Sequence, residues 1–203
     1  MDRGSRQGES FSHFFSAEFD NENEDHLKFR TKLQGLQNLL IDTPGIGKPV
    51  KGDALHITLG VFHLAEEEVQ GVTDTLKKIW EQYLDILGGP KRLALSFRGI
   101  EFGDRGSIWV KMELGNEAME MLREMLLEGV GEYVTDMRFK THLTIFRSSE
   151  FSEDLRNGIS GSASRINLGC TAIRQMSLRP KKTGKTLPEP VLTLSMEEGN
   201  EAE

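Results

Sequence analysis

Two short stretches decide how this chain folds, namely His56-Ile57-Thr58-Leu59 and His142-Leu143-Thr144-Ile145. Both follow one pattern: a histidine, an aliphatic residue, a threonine and a second aliphatic residue. In a β-strand, side chains two positions apart share a face, so each histidine lies beside its own threonine while the aliphatic residue between them points to the other face. The pattern therefore predicts two strands that each present an imidazole and a hydroxyl together, backed by a hydrophobic core.

The surrounding sequence predicts an α+β protein in which strands and helices alternate. Strands are expected at FSHFFSAEF (11–19), LHITLGVFHL (55–64), RLALSFRGIEF (92–102), SIWVKMEL (107–114), HLTIF (142–146), TAIRQMSLR (171–179) and PVLTLSM (190–196). Helices are expected after a cap at Asn21 or Asn23, from Glu66 to the Gly88-Gly89 pair, and from Asn116 to Glu128. DTPGIGKPVKGD (42–53) is expected to be a loop and is a candidate to cover the site. The polar Ser/Gly-rich stretch after the second motif is assigned no helix or strand. One motif in each half suggests an internal duplication.

Composition narrows the class of protein. The chain has 203 residues and a formal net charge of −7, which argues against a broad basic surface for duplex nucleic acid. No apolar run approaches the roughly 18–20 residues that cross a bilayer, and the polar start favours an intracellular protein, cytoplasmic or nuclear. A single cysteine, Cys170, leaves no intrachain disulfide and no thiolate zinc cluster. We expect a flexible start at 1–10, one domain over 11–196 and an acidic tail at 197–203.

Two imidazoles that face one cleft suit phosphodiester chemistry. The attacking oxygen must lose a proton and the leaving oxygen must gain one. Histidine's ordinary pKa, near 6.5, allows one ring to act as the base while the other acts as the acid. The hydroxyls of Thr58 and Thr144 can donate to the non-bridging phosphate oxygens, so the pattern predicts a site that needs no metal or other cofactor.

Other interpretations of the same residues remain open. His56 and His142 could be structural polar residues, or one of them could join His63 in a metal site, although an uninterrupted strand would turn His63 to the opposite face. Phe62 shares strand parity with His56, and Phe146 and Lys140 share it with His142. The two rings are candidates for stacking on a base or for the core, and Lys140 is a candidate phosphate contact or a solvated surface residue. A loose basic group stands near the end of the fold: Arg147, Arg179, Lys181 and Lys182.

The residues resemble a known family, the two-histidine (2H) phosphoesterases of the LigT and cyclic-phosphodiesterase group. The resemblance spans residues 11–196 and is clearest in LHITLGVFHLAEEEV, LSFRGIEF, IWVKMEL, FKTHLTIFR and IRQMSLR. It is closest to the domain of certain A-kinase anchoring proteins and of one subunit of the activating signal cointegrator complex. Neither a KH-type RNA-binding module nor a kinase-anchoring helix is recognised, so kinase anchoring is not carried over.

The resemblance implies a bilobal duplicated fold, with two antiparallel sheets flanked by helices and a central cleft that holds both motifs. His56 and His142 would then be the acid–base pair, and Thr58 and Thr144 would bind the phosphate. The implied activity is a phosphodiesterase acting on a 2′,3′-cyclic phosphate, a 2′-5′ linkage or an RNA 3′ end. The implied partner is a nucleotide or short RNA. The alternative is a non-catalytic nucleotide-binding adaptor with the same cleft.

Overall fold

The computed structural model describes residues 12–103, 106–135, 141–148, 151–163, 165–181 and 188–196. The strands are β1 (His13–Phe19), β2 (Lys48–Pro49), β3 (Ile57–Phe62), β4 (Leu93–Gly103), β5 (Ser107–Leu114), β6 (His142–Arg147), β7 (Asn167–Pro180) and β8 (Leu192–Ser195). The helices are α1 (Glu24–Leu40), α2 (Val69–Leu87), α3 (Asn116–Val130) and α4 (Glu153–Ala163). The expected flexible start and acidic tail lie outside the described residues.

Helix α1 begins where the sequence predicts. Asn23 is its N-cap, and the side-chain oxygen of Asn23 accepts hydrogen bonds from the backbone N–H groups of Asp25 and His26 at 2.9 and 3.2 Å. This cap satisfies two donors that have no partner within the first turn. Phe29, Leu33 and Leu36 form the buried face of α1, and that face packs against β7.

Helix α2 also follows its sequence signals. Val72, Leu76, Ile79 and Tyr83 recur at helical spacing and are buried. Gly88 ends the helix with a φ of 77°, a left-handed conformation that glycine adopts without steric cost. The three glutamates expected in its first turn instead form a short 3₁₀ turn, Glu66–Glu68, just ahead of it.

The described strands form one continuous sheet, so the two separate sheets expected from the resemblance are not confirmed. Its hydrogen-bonded order is β1-β3-β6-β5-β4-β7-β8, and β2 pairs with β6. An additional antiparallel pairing of β1 with β7 closes the sheet into a barrel-like form. Because β1 and β7 pair with each other, the edges that they share are not left unpaired. The α+β class is confirmed, with a sheet-rich core and four helices among the described residues.

Two elements differ from the sequence expectation after the second motif. The polar stretch that was assigned no element contains α4, whose buried residues include Leu155, and α4 packs against β4. Strand β7 is longer than predicted, at 14 residues, because its first half pairs with β4 and its second half with β1 and β8. His26 on α1 is only 2% exposed, and its Nδ1 lies 2.9 Å from Oγ1 of Thr171 on β7.

The remaining helices cover the sheet on its apolar side. Helix α2 packs on α3, and α3 also contacts β3 and β5. Within the part of the chain that the structure describes, no helix is both long enough and apolar enough to cross a membrane. The polar residues of the two motifs lie on the other side of β3 and β6, away from these helices.

Candidate active site

One residue pair brings the two motifs together. Ile57 of β3 lies opposite Leu143 of β6 in antiparallel register, and both side chains are fully buried. In an antiparallel pair the neighbouring positions run in opposite directions, so His56 comes beside Thr144 and Thr58 beside His142. Side chains placed in this way have Cβ atoms about 4.5–5.5 Å apart. Each histidine thus stands next to the threonine of the other motif.

Burial alternates along both strands as the pattern predicts. Leu59 and Ile145 are buried with the central pair, at 2% and 0% exposed. All four polar residues of the motifs keep partial exposure instead: His56, Thr58, His142 and Thr144. The structure therefore gathers two imidazoles and two hydroxyls on one open face of the sheet, above an apolar layer that fixes the register.

Both motif strands carry a β-bulge at the same motif position. Phe15 and Ser16 pair with Gly60 and Thr58, which leaves Leu59 as the extra residue of β3. Ile108 and Trp109 pair with Phe146 and Thr144, which leaves Ile145 as the extra residue of β6. A bulge shifts the alternation by one position, so residues beyond it change face.

These bulges decide the position of Phe62 and Phe146. Simple parity placed each ring on the face of its histidine, but beyond the bulge each ring turns to the apolar side, where both are 0% exposed. Neither ring offers an open face to a base, and core packing is the interpretation that the structure supports. The bulge at Ile145 has the converse effect on Arg147, which is exposed and faces the histidines.

The ring of His56 is held by two contacts. Its Nδ1 lies 2.8 Å from the carbonyl oxygen of Ala54, and because a carbonyl only accepts, Nδ1 carries the proton and donates. Nε2 is then the nitrogen of the neutral ring that can accept a proton. The ring of Phe14 packs against the imidazole with ring centroids 5.3 Å apart.

Several effects act on the protonation of His56. Burial is the largest and lowers its pKa from the ordinary 6.5, whereas the hydrogen bond to Ala54 raises it. The charges of Arg147 and Arg179 lower the pKa further, and the charge of Glu18 raises it. The net direction is downward, so the neutral ring is favoured near neutral pH.

His142 also packs against an aromatic ring from the neighbouring strand. Its imidazole and the indole of Trp109 have centroids 4.9 Å apart and planes tilted by 38°. Trp109 lies opposite Thr144, and Lys111 lies opposite His142 itself. Lys111 forms an ion pair with Glu101 of β4.

A sheltered ion pair stands beside the first motif. Nε of Arg179 on β7 donates to Oε1 of Glu18 on β1 at 2.8 Å, and Nη2 of Arg179 donates to the same oxygen. Nε2 of Gln175 donates to Oε2 of Glu18 at 2.7 Å. The two charged side chains are only 12% and 17% exposed. Arg179 is therefore a site neighbour and not part of a loose surface patch.

Sequence reasoning missed most of these neighbours. The sequence predicts strands that contain Phe14, Glu18 and Trp109, but it assigns these residues no place at the site. These side chains lie on the histidine face of β1 and β5. That face can be assigned only when the strand parity is combined with the register of strand pairing. Pairing of strands far apart in the chain is not visible in one sequence.

Several candidates lie elsewhere or outside the described residues. Lys140 and Lys182 are outside them, so their proposed phosphate and surface roles stay predictions. Lys181 is exposed beyond the end of β7. His63 follows β3, and its backbone N–H donates to the carbonyl of Tyr133. Among the described side chains, no group of three or more His, Cys, Asp or Glu residues comes together as a metal-ligand set.

Comparison with known proteins gives one family and many structures. The model of the AKAP7 2'5' RNA ligase-like domain matches residues 11–167. No curated protein matches the chain. LigT of E. coli, solved with 3'-AMP, is 17% identical with a TM-score of 0.64, covering 92% of this chain and 98% of that one.

Two further solved structures have the same fold. A protein described as a phosphoesterase is 17% identical with a TM-score of 0.66, over 92% of this chain and 98% of that one. The protein TT0787 of Thermus thermophilus is 20% identical with a TM-score of 0.60, over 91% and 97%. At these identities the likeness establishes the fold.

Proposed function

This chain belongs to the family of the AKAP7 2'5' RNA ligase-like domain, within the two-histidine phosphoesterases, and from that premise we propose that it is a phosphodiesterase of nucleotides or RNA. The observation that carries the proposal is the Ile57–Leu143 pair, which puts both imidazole–hydroxyl pairs on one face. The proposed substrates have a phosphodiester next to a ribose hydroxyl: a 2′,3′-cyclic phosphate, a 2′-5′ linkage or an RNA 3′ end. An intracellular location, cytoplasmic or nuclear, belongs to the same proposal.

The arrangement supports acid–base catalysis at a single phosphorus atom. One imidazole of the His56–His142 pair removes a proton from the attacking water or ribose hydroxyl as the new P–O bond forms. The other imidazole gives a proton to the leaving oxygen as the old P–O bond breaks. The hydroxyls of Thr58 and Thr144, held on the same face, donate to the non-bridging oxygens whose charge persists through the transition state.

Side chains around the motifs support an anionic ligand. Arg147 is exposed on the histidine face, and its charge reaches His56. A guanidinium can contact two oxygens of one phosphate at once. The structures of LigT include complexes with 3'-AMP and with phosphate, which makes these two compounds the first ligands to test on this chain.

A product-resolved assay tests the proposal. Purified protein is incubated with 2′,3′-cyclic nucleotides, 2′-5′ oligoadenylate and 3′-tailed RNA, in the presence of EDTA, beside the His56→Ala and His142→Ala variants. We expect one substrate class to be cleaved with EDTA present, and each variant to lose about 10²–10⁴-fold in turnover while staying folded. Equal turnover by the double alanine variant would refute the proposal. Nucleotide binding without turnover of any substrate would favour the adaptor function instead.

A further inference from the structure

Strand β2 brings a lysine opposite an arginine at the edge of the histidine face. Lys48 of β2 pairs with Arg147 of β6 in antiparallel register. Residues directly opposite in such a pair project to the same face, with Cβ atoms about 4.5–5.5 Å apart. Arg147 is the residue that the bulge at Ile145 turns toward the histidines. Lys48 therefore also lies on the histidine face, and both cationic side chains are exposed.

These two cations have no anion of the protein beside them. Like charges directly opposite each other on a sheet are destabilising, so an acidic neighbour is the expected remedy. Among the described side chains, however, neither Lys48 nor Arg147 forms an ion pair. The chain has 32 acidic residues against 25 basic ones, so carboxylates are not scarce. An unneutralised pair of cations in an acidic protein favours an anion that comes from outside the chain.

The backbone beneath the two cations is held by helix α1. Nε2 of Gln37 donates to the carbonyl oxygens of Val50 and Ile145 at 2.9 and 3.0 Å. The backbone N–H of Val50 donates to the same Ile145 carbonyl at 2.9 Å. These bonds tie the segment that carries Lys48 to the bulged residue that turns Arg147. The side-by-side position of the two cations is therefore fixed by the fold.

The pair of cations lies one step along the sheet from the two motifs. Thr144 and Arg147 are three positions apart on β6, and the bulge takes up one of these positions, so they are separated by roughly 7–10 Å. On the other side of Arg147, Ser107 of β5 is its antiparallel partner and adds a hydroxyl to the same row. One extended nucleotide can span this separation. A phosphate at the histidines thus leaves the next phosphate of the same strand within reach of Lys48 and Arg147.

We propose that Lys48 and Arg147 form a second phosphate subsite, which binds the phosphodiester next to the reacting phosphate, so that the site prefers an oligonucleotide to a mononucleotide. This inference rests on the proposed function, which puts the reacting phosphate at His56 and His142. In a 2′,3′-cyclic phosphate end or an RNA 3′ end, the reacting phosphate lies at the 3′ end, so the neighbouring phosphodiester is on its 5′ side. The guanidinium of Arg147 contacts two oxygens of this group, and the ammonium of Lys48 supplies a point charge.

Binding measurements with three ligands test the subsite. The ligands are 3′-AMP, the dinucleotide ApAp with its internal phosphodiester and 3′-terminal phosphate, and an ApAp analogue whose internal linkage is an uncharged methylphosphonate. By calorimetry, ApAp should bind most tightly of the three and about fivefold more tightly than its neutral analogue. The dependence of log Kd on log salt should also be steeper for ApAp than for the analogue, by about 0.7, because one more phosphate is neutralised.

Variants assign this preference to the two cations. Lys48→Gln and Arg147→Gln each remove one charge, and Lys78→Gln is the matched control, since Lys78 is an exposed lysine of α2 on the helix-covered side of the sheet. The affinity ratio between ApAp and its neutral analogue should fall toward one in Lys48→Gln and further in the double variant, and stay at the wild-type value in Lys78→Gln. If Arg147→Gln does not fold, Lys48→Gln and the neutral analogue decide the question.

Three results would overturn the subsite: equal affinity of the wild type for ApAp and its neutral analogue, an unchanged ratio in Lys48→Gln and the double variant, or an equal fall in Lys78→Gln. Turnover separates this inference from the proposed function. Selective binding of ApAp without turnover of any substrate class would refute the proposed function and support the subsite. Turnover with no preference for the charged linkage would refute the subsite alone.

Discussion

Ile57 lies opposite Leu143 at the centre of the candidate site, with both side chains 0% exposed. A slip of one residue between β3 and β6 would expose one of these aliphatic side chains and bury a histidine in its place. Such a slip is costly, because a buried, unpaired imidazole loses its hydration while an apolar side chain gains exposure. The packing of the apolar layer thus fixes the register of β3 and β6, and this register sets the positions of the polar groups on the other face.

Loss of the threonine hydroxyls should slow the chemical step. Thr58→Val and Thr144→Val keep the shape of each side chain and remove a donor to the phosphate oxygens. We expect kcat to fall by about 10²-fold in each variant, with a smaller change in KM. Thr31→Val is the control, because Thr31 lies on the exposed side of α1 and its hydroxyl donates within the helix. Wild-type kcat in both site variants would show that the two hydroxyls do not contribute to the chemical step.

Trp109 should report ligand binding by its fluorescence. Its indole packs on the His142 ring, so a phosphate bound between the motifs changes its surroundings. We expect tryptophan emission to change on addition of 3′-AMP and the change to disappear in Trp109→Phe. The second tryptophan, Trp80, is 4% exposed on α2, and its Nε1 donates to the carbonyl of Ser195. A full response in Trp109→Phe would show that binding occurs elsewhere.

Stability should fall as the pH drops below about 6.5. Burial lowers the pKa of both His26 and His56 from 6.5, so between that value and the folded pKa the unfolded chain binds protons that the native protein does not. The stability that this difference supplies is complete above pH 6.5 and is lost as the pH falls through the folded pKa values. His26→Gln should therefore show a shallower decline in unfolding free energy between pH 7.5 and 5.5, measured by urea titration. An unchanged decline would contradict this source of pH dependence.

Gly47 should resist substitution more strongly than its neighbour Gly45. Both have left-handed backbones, with φ of 86° and 81°. A Cβ at Gly47 would overlap the carbonyl oxygen of Arg147, whereas the nearest atom at Gly45 is Cδ2 of Leu155 at 3.9 Å. Gly45→Ala should cost about 1–2 kcal/mol from the backbone alone, and Gly47→Ala clearly more. Equal shifts in the urea midpoint would indicate that the loop is free to move away from β6.

Local patterns could be predicted from the sequence because they depend on neighbouring residues. The Asn23 cap, the α2 stripe and the alternation around each motif all follow from the spacing of polar and apolar residues over one or two turns or strands. The catalytic roles of His56, His142, Thr58 and Thr144 stay predictions. Their meeting on adjacent strands is a feature of the fold.

Features that depend on pairing could not be predicted in this way. The bulges at Leu59 and Ile145 reverse the faces of Phe62 and Phe146, and nothing in the residue types marks the extra position. Glu18 and Arg179 are 161 residues apart in the chain, and only the pairing of β1 with β7 brings them together.

The central claim is that both motifs bind a single phosphate, and ligand titration by NMR tests it most directly. The ring signals of His56 and His142 are followed while 3′-AMP is added to the wild-type protein. Both rings should shift together, with one dissociation constant and one ligand per chain. A response confined to one ring, or two responses with different dissociation constants, would contradict the account.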